Sequence, residues 1–223
     1  MAFTTNEFTK PPRPRWVLPV VVTAVVVALL AVVAAVVVGS ADDGAPAVPA
    51  HLPAPTQGLD LTAAPTKLEW KLIDGVRLPF SGEGPAKVAG PLASGYSHTP
   101  QGAVVAAWQI STRLATSTDY EQVMANQVRG TEAQRTQVRL EVANVRNLTS
   151  NQFSARFAQP VGFRVVSYDN AFAQIYFAIQ SPAGGYDFTP RAVLWDGKDW
   201  QYQLISGLPA LPNSTSIADF TTF

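Results

Sequence analysis

The stretch 161–180, VGFRVVSYDNAFAQIYFAIQ, decides the fold. Val161–Tyr168 and Ala171–Gln180 are rich in β-branched and aromatic residues, and Asp169-Asn170 between them is a two-residue turn signal. Two such runs so joined predict an antiparallel hairpin. Downstream, PAGGYD (182–187) marks a further turn, and DGKD (196–199) separates Arg191–Trp195 from Trp200–Ser206. The pattern is that of a four-strand antiparallel meander.

Working outward toward the N-terminus, the periodicity becomes helical. Pro100–Thr116 places Ala103, Val104, Ala107, Trp108 and Leu114 on one apolar face. A second helix is expected from Thr118-Asp119-Tyr120-Glu121, read as a capping box in which Thr118 and Glu121 satisfy free N–H groups reciprocally. A third opens at Thr131, with Gln134 in the same reciprocal position, and runs through Val138, Val142 and Val145 to near Leu148. Residues 149–160 carry no decisive pattern. Before the helices, LEWKLI and VRLPF flank Asp74-Gly75 and predict a short hairpin, followed by a Gly/Pro-rich loop, GEGPAKVAGPLASG (82–95). Helices followed by a meander predict an α+β fold, its helices packed on one face of a curved antiparallel sheet.

The N-terminal part reads differently. Val17 to Val38 is 22 residues without a charge, and about twenty such residues in a helix cross the hydrocarbon layer. A cleavable signal peptide is the rival, but its apolar core is usually about 7–15 residues, so a retained transmembrane helix over 16–38 is expected. Lys10, Arg13 and Arg15 precede the run while Asp42 and Asp43 follow it. That asymmetry predicts a single-pass cell-membrane protein with a cytoplasmic tail at 1–15 and everything beyond the span extracytoplasmic. Residues 39–66 contain Pro46, Pro49, Pro53, Pro55 and Pro65 among many alanines and read as a stalk. The folded domain is then 67–210, with 211–223 a flexible tail.

Composition limits the chemistry. The chain has no cysteine, which removes disulfides, thiolate metal sites and thiol nucleophiles. From Lys67 onward thirteen basic residues face twelve acidic ones, so no basic field points to direct nucleic-acid binding. His51 lies in the stalk, and His98 alone serves the domain. No metal or other cofactor is expected. In GYSHTPQGA (95–103), Ser97 and His98 suggest a nucleophile and its base, but the pair lacks a third orienting group. Thr99 as N-cap and Pro100 at the first helical position account for more of it, with Gly95 and Gly102 allowing close backbone approach. The predicted meander strands contain no Asp or Glu, which disfavours proton chemistry inside the sheet. The chain is expected not to be an enzyme. Arg135, Arg139 and Arg146 recur near helical spacing, either as a solvated face or as a phosphate-attracting one. Trp195 and Trp200 flank the last turn, as cross-strand packing or as an interaction surface.

Tail, span, stalk and an α-then-β order ending in WDGKDWQYQL resemble membrane-anchored nuclear-transport-factor-2-like (cystatin-like) cones. GYSHTPQGAVVAAW followed by VGFRVVSY is similar to an actinobacterial family of bitopic proteins associated with conjugative elements, and the plan resembles the VirB/TraM/TcpC-type assembly factor of type IV secretion machines. The resemblance implies a non-catalytic scaffold of a conjugative or secretion-like envelope complex, partnered by the membrane, by further copies of itself and by other envelope proteins. The alternative is a membrane-tethered small-ligand-binding or isomerase-like domain, with a pocket lined by Gln174, Tyr176 or Arg164.

Overall fold

A computed structural model describes residues 59–223. In chain order the elements are β1 (Glu69–Ile73), β2 (Val76–Phe80), β3 (Lys87–Ala89), β4 (Leu92–Ser94), α1 (Pro100–Thr116), α2 (Tyr120–Gln127), β5 (Val128–Arg129), α3 (Glu132–Arg146), α4 (Ser150–Arg156), β6 (Gly162–Tyr168), β7 (Phe172–Gln180), β8 (Tyr186–Trp195), β9 (Trp200–Gln203) and β10 (Thr221–Thr222). The deciding hairpin forms for the reason its turn suggests. The Asp169 carboxylate accepts from the backbone N–H groups of Ala171 and Phe172, both at 2.7 Å, holding the two strands in register from Tyr168↔Ala173 onward.

The meander is present as β6-β7-β8-β9, but the sheet is larger and mixed. Its order is β10-β6-β7-β8-β9-β5, and β5 runs parallel to β9. The expected purely antiparallel sheet of the cone is corrected on that point, because a two-residue strand after α2 is too short to leave a sequence pattern. The chain from α2 to α3 crosses the sheet edge there, and Leu204 N–H closes it on the Arg129 carbonyl at 2.8 Å. The expected transmembrane helix at Val17 to Val38 falls outside the described residues, and no helix among those described is long and apolar enough to cross a membrane.

α1 is the centre of the core. Fourteen of its seventeen residues are buried, so it has almost no solvent face even though Gln109, Ser111, Thr112 and Arg113 are among them, and those polar groups need partners inside the domain. One side lies on the six-stranded sheet, where Trp108 meets Phe177 with ring centroids 5.0 Å apart. The other side is covered by β2, where Gln109 donates to the Pro79 carbonyl at 2.8 Å, and by β4. Its start is as predicted: Thr99 Oγ1 accepts from Gly102 N–H at 3.1 Å, and Pro100 occupies the first position. Two glycines there are sterically required. A Cβ on Gly102 would collide with the Ser97 carbonyl, and Gly95 has φ +81°, with any Cβ meeting that of Ala86 at 2.9 Å.

Several local expectations change. Thr118 and Glu121 do not form a capping box; α2 starts one residue later with Asp119 as an N-cap without a side-chain bond. The Ser117 hydroxyl takes the Asp119 N–H at 3.1 Å, while Glu121 is drawn away by Arg139. The Thr131–Gln134 box is present. The undecided 149–160 segment holds α4, which opens on a second box, Thr149–Gln152. The loop 82–95 contains the β3–β4 hairpin.

Both boundaries of the domain move outward. Residues 59–66, assigned to the stalk, are fastened to it: Gln101 Nε2 donates to the carbonyls of Asp60 and Ala63 at 2.7 and 3.1 Å, and Glu83 accepts from Thr66 N–H and hydroxyl, both at 2.8 Å. The C-terminal residues, expected as a flexible tail, cross the sheet face opposite α1. Phe220 stacks on Phe188 at 4.8 Å, β10 then pairs with β6, and the Phe223 ring lies 5.3 Å from Trp70 and 5.1 Å from Phe163. Covering an otherwise exposed sheet face and edge gives a polar-looking tail enough burial to become ordered.

Candidate functional site

Three segments meet at one end of the sheet: the 95–99 loop that leads into α1, the β6–β7 turn, and the β8–β9 turn. Their junction is built around Asp199. Its carboxylate accepts from the backbone N–H groups of Gly95 (2.6 Å), Tyr96 (3.1 Å) and Trp200 (2.9 Å). Hydrogen bonds to an ionised acceptor are the stronger kind, so one side chain in a turn fixes a loop a hundred residues earlier. Trp200, wholly buried, extends the clamp by donating its indole N–H to the Ser97 carbonyl at 2.9 Å.

His98 completes the junction. Its ring lies flat on Trp195, with centroids 4.0 Å apart and 6° between planes, and edge-on to Trp200 at 5.5 Å. Its Nε2 is 2.7 Å from the Asn170 carbonyl. Because a carbonyl can only accept, Nε2 carries the proton in this contact. The Ser97 hydroxyl is bonded to Thr99 at 2.8 Å, not to the imidazole. The structure therefore gathers Gly95, His98, Thr99, Pro100, Gly102, Trp195 and Trp200 in one place, as a mechanical joint. No nucleophile–base pair exists within it. Asp199 was legible only as a turn residue, and nothing in the sequence signalled its distant partners.

The neighbouring acid Asp196 also serves the turn. Partial burial opposes its ionisation, but the N–H groups of Asp199 and Lys198 (both 3.0 Å) and Arg129, 3.6 Å away, outweigh that and lower its pKa. Beneath the junction Tyr96 is 3% exposed, and burial above all pushes its phenol well above the ordinary value. Arg113, 4% exposed, donates to Gln109 Oε1 at 2.8 Å. Its pKa falls through the same loss of solvent.

Arg135 and Arg139 are engaged inside the domain. Arg135 donates to the carbonyls of Val128, Met124 and Gly130 at 3.1, 3.2 and 3.4 Å, finishing the C-terminal end of α2. Arg139 bridges Glu121 (2.9 Å) and Glu132 (2.8 Å), which lowers the Glu121 pKa. Arg146 donates to the Thr118 carbonyl and lies over the Tyr120 ring. These contacts tie α3 to α2.

The residues named for a ligand pocket lie elsewhere. Arg164, Gln174 and Tyr176 alternate with the core-facing Phe163, Ile175 and Phe177, so they point to the opposite sheet face. There the Tyr176 hydroxyl donates to the Pro209 carbonyl, and Arg164 lies over Phe220 at 5.0 Å. The C-terminal segment therefore covers the surface on which that pocket was placed. Two open clefts of about 480 and 430 Å³ occur at Gln180–Tyr186 and at Gly75/Val145/Phe153. Neither includes His98, and no cluster of potential metal ligands occurs among the described residues.

No curated protein and no solved structure matches this chain. The family is nevertheless shown, because residues 33–223 match the model of a domain of unknown function, DUF8175, and the chain belongs to that family.

Proposed function

We propose that the protein is a non-catalytic assembly component of a conjugative-transfer or type IV secretion-like envelope complex, held at the membrane through its apolar N-terminal segment. One observation carries the non-catalytic part. The groups at the domain's most site-like end, Asp199, His98 and Trp200, are each committed to backbone groups that join loop to sheet. General acid–base work needs a side chain free to exchange its proton with a substrate. The side of the sheet facing the helices supports the same reading, being filled by Trp108, Phe163, Ile175 and Phe177. The assembly part rests on the sequence resemblance and on the uncharged run from Val17 to Val38.

The test is deletion of the gene in its host with complementation by the full chain, read as donor-to-recipient DNA transfer. Light scattering of the solubilised protein supplies its oligomeric state. Transfer should fall on deletion and return on complementation, and the protein should self-associate. Undiminished transfer together with a strictly monomeric protein defeats the proposal.

A further inference from the structure

We propose that the aromatic shelf made by His98 and Trp195 is the docking site for the chain's own proline-rich segment, around Pro53-Ala54-Pro55. The shelf has the parts that recognise a polyproline-type strand. An exposed imidazole lies flat on a half-buried indole, giving a planar apolar surface of the kind prolines pack against. Trp200 and Trp108 donate their indole N–H groups to backbone carbonyls. That of Trp195 has no protein acceptor among the described residues, leaving a donor at the edge of the shelf for a ligand carbonyl. A Trp with one apolar face and one free polar tip is typical of binding surfaces.

The occupant follows from where the chain enters. Gln101, three residues after His98, grips the Asp60 and Ala63 carbonyls, so residues 59–63 reach the domain beside the start of α1. Pro55 precedes Leu59 by four residues, and an extended proline-rich strand advances about 3.1 Å per residue. The reach is roughly 12 Å, comparable to the three-residue span between Gln101 and His98, which is at most about 11 Å. The segment is uncharged from Gly44 through Gly58 apart from His51, as suits an aromatic surface. Its prolines also lower the ordering cost of docking. This inference is independent of the assembly reading.

The chain lacks cysteine, so introduced pairs report cleanly. In the full-length protein, Ala54→Cys is paired with Lys198→Cys, in the turn beside the shelf, and separately with Ala183→Cys, in the turn at the far end of β8. Under mild oxidation the 54/198 pair should close within one chain at least tenfold faster than the 54/183 pair. Adding Pro53→Ala and Pro55→Ala, which leaves the folded domain untouched, should bring the faster rate down to the control. Equal rates for the two pairs overturn the proposal. So does a disulfide-linked dimer as the main 54/198 product, which would assign the shelf to a second copy, and so does a rate indifferent to the proline substitutions.

Discussion

Asp199→Ala is the most informative single change. It removes the acceptor of three backbone N–H groups without altering any core side chain, because the carboxylate sits at the junction and not beneath it. A hydrogen bond to a charged group contributes roughly 1.5–3 kcal/mol, and such values do not add. Gly95 is exposed, so water can replace the acid there. Tyr96 and the wholly buried Trp200 are less easily reached, and their N–H groups lose more. The expected loss is about 3 kcal/mol. With a urea slope of about 2 kcal/mol per molar for a domain of this size, the unfolding midpoint should fall by about 1.5 M at unchanged slope.

Asp199→Asn separates charge from shape, since it keeps one acceptor oxygen and turns an amide NH₂ toward a backbone donor. It should lose about half as much. Denaturation of the full chain, followed by Trp fluorescence, reads both, because Trp195 and Trp200 stand at the junction. A loss under about 0.5 kcal/mol, the range of an ordinary surface substitution, would mean that Asp199 is merely a turn residue and that the clamp is not what fixes the loop.

Other changes probe separate parts. His98→Ala removes the Trp195 stack and the Asn170 contact and should cost about 1–2 kcal/mol in the same denaturation measurement; unchanged stability would return His98 to consideration as a chemical group. Gly102→Ala should destabilise by more than about 2 kcal/mol, since its Cβ meets the rigid Ser97 carbonyl, and a melting temperature equal to wild type refutes that close approach. Arg135→Met leaves three carbonyls without their donor and should reduce stability by about 1–3 kcal/mol, with hydrogen exchange rising first in α2. For pH, Asp196 is lowered in the folded state, so its contribution is present above the unfolded carboxylate value of about 3.9 and is lost as pH falls through the lower folded value. Asp196→Asn should therefore be less stable than wild type at pH 6 and converge with it near pH 2 in thermal melts; a gap that persists at the acid end refutes the linkage.

Legibility followed the range of the interactions. Thr99 with Pro100, Thr131 with Gln134, and the Asp169 turn were readable because each is closed by bonds within four residues. Thr149 and Gln152 form the same reciprocal pair, yet α4 buries no residue and so offered no apolar periodicity to confirm it. The Thr118–Glu121 pair shows the converse. The letters were right, but Arg139, eighteen residues away, holds Glu121 in a salt bridge at 2.9 Å. β5 and β10 have two residues each, too few for any period to appear. The junction was half legible: its position at GYSHTPQGA was visible, while its architect, Asp199, could be found only once the sheet had brought residues 95 and 199 together.

That division explains why the most enzyme-like stretch is better understood as a joint. A general acid or base must gain and lose a proton while its surroundings stay put. The Asp199 carboxylate is instead committed to three bonds that hold the entrance of α1, the helix on which the core is built. The same wiring makes the junction responsive to binding. Anything that rests on Trp195 and His98 contacts the loop leading into α1, the β6–β7 turn through Asn170 and the β8–β9 turn at once. A ligand selective for this assembled state adds RT ln(1 + [L]/Kd) to its stability, about 2.7 kcal/mol at a hundredfold excess over Kd. The gain is comparable to what Asp199 itself is expected to contribute. A ligand on the proposed shelf would therefore be thermodynamically coupled to the integrity of the clamp, and would raise the unfolding midpoint of the wild-type protein.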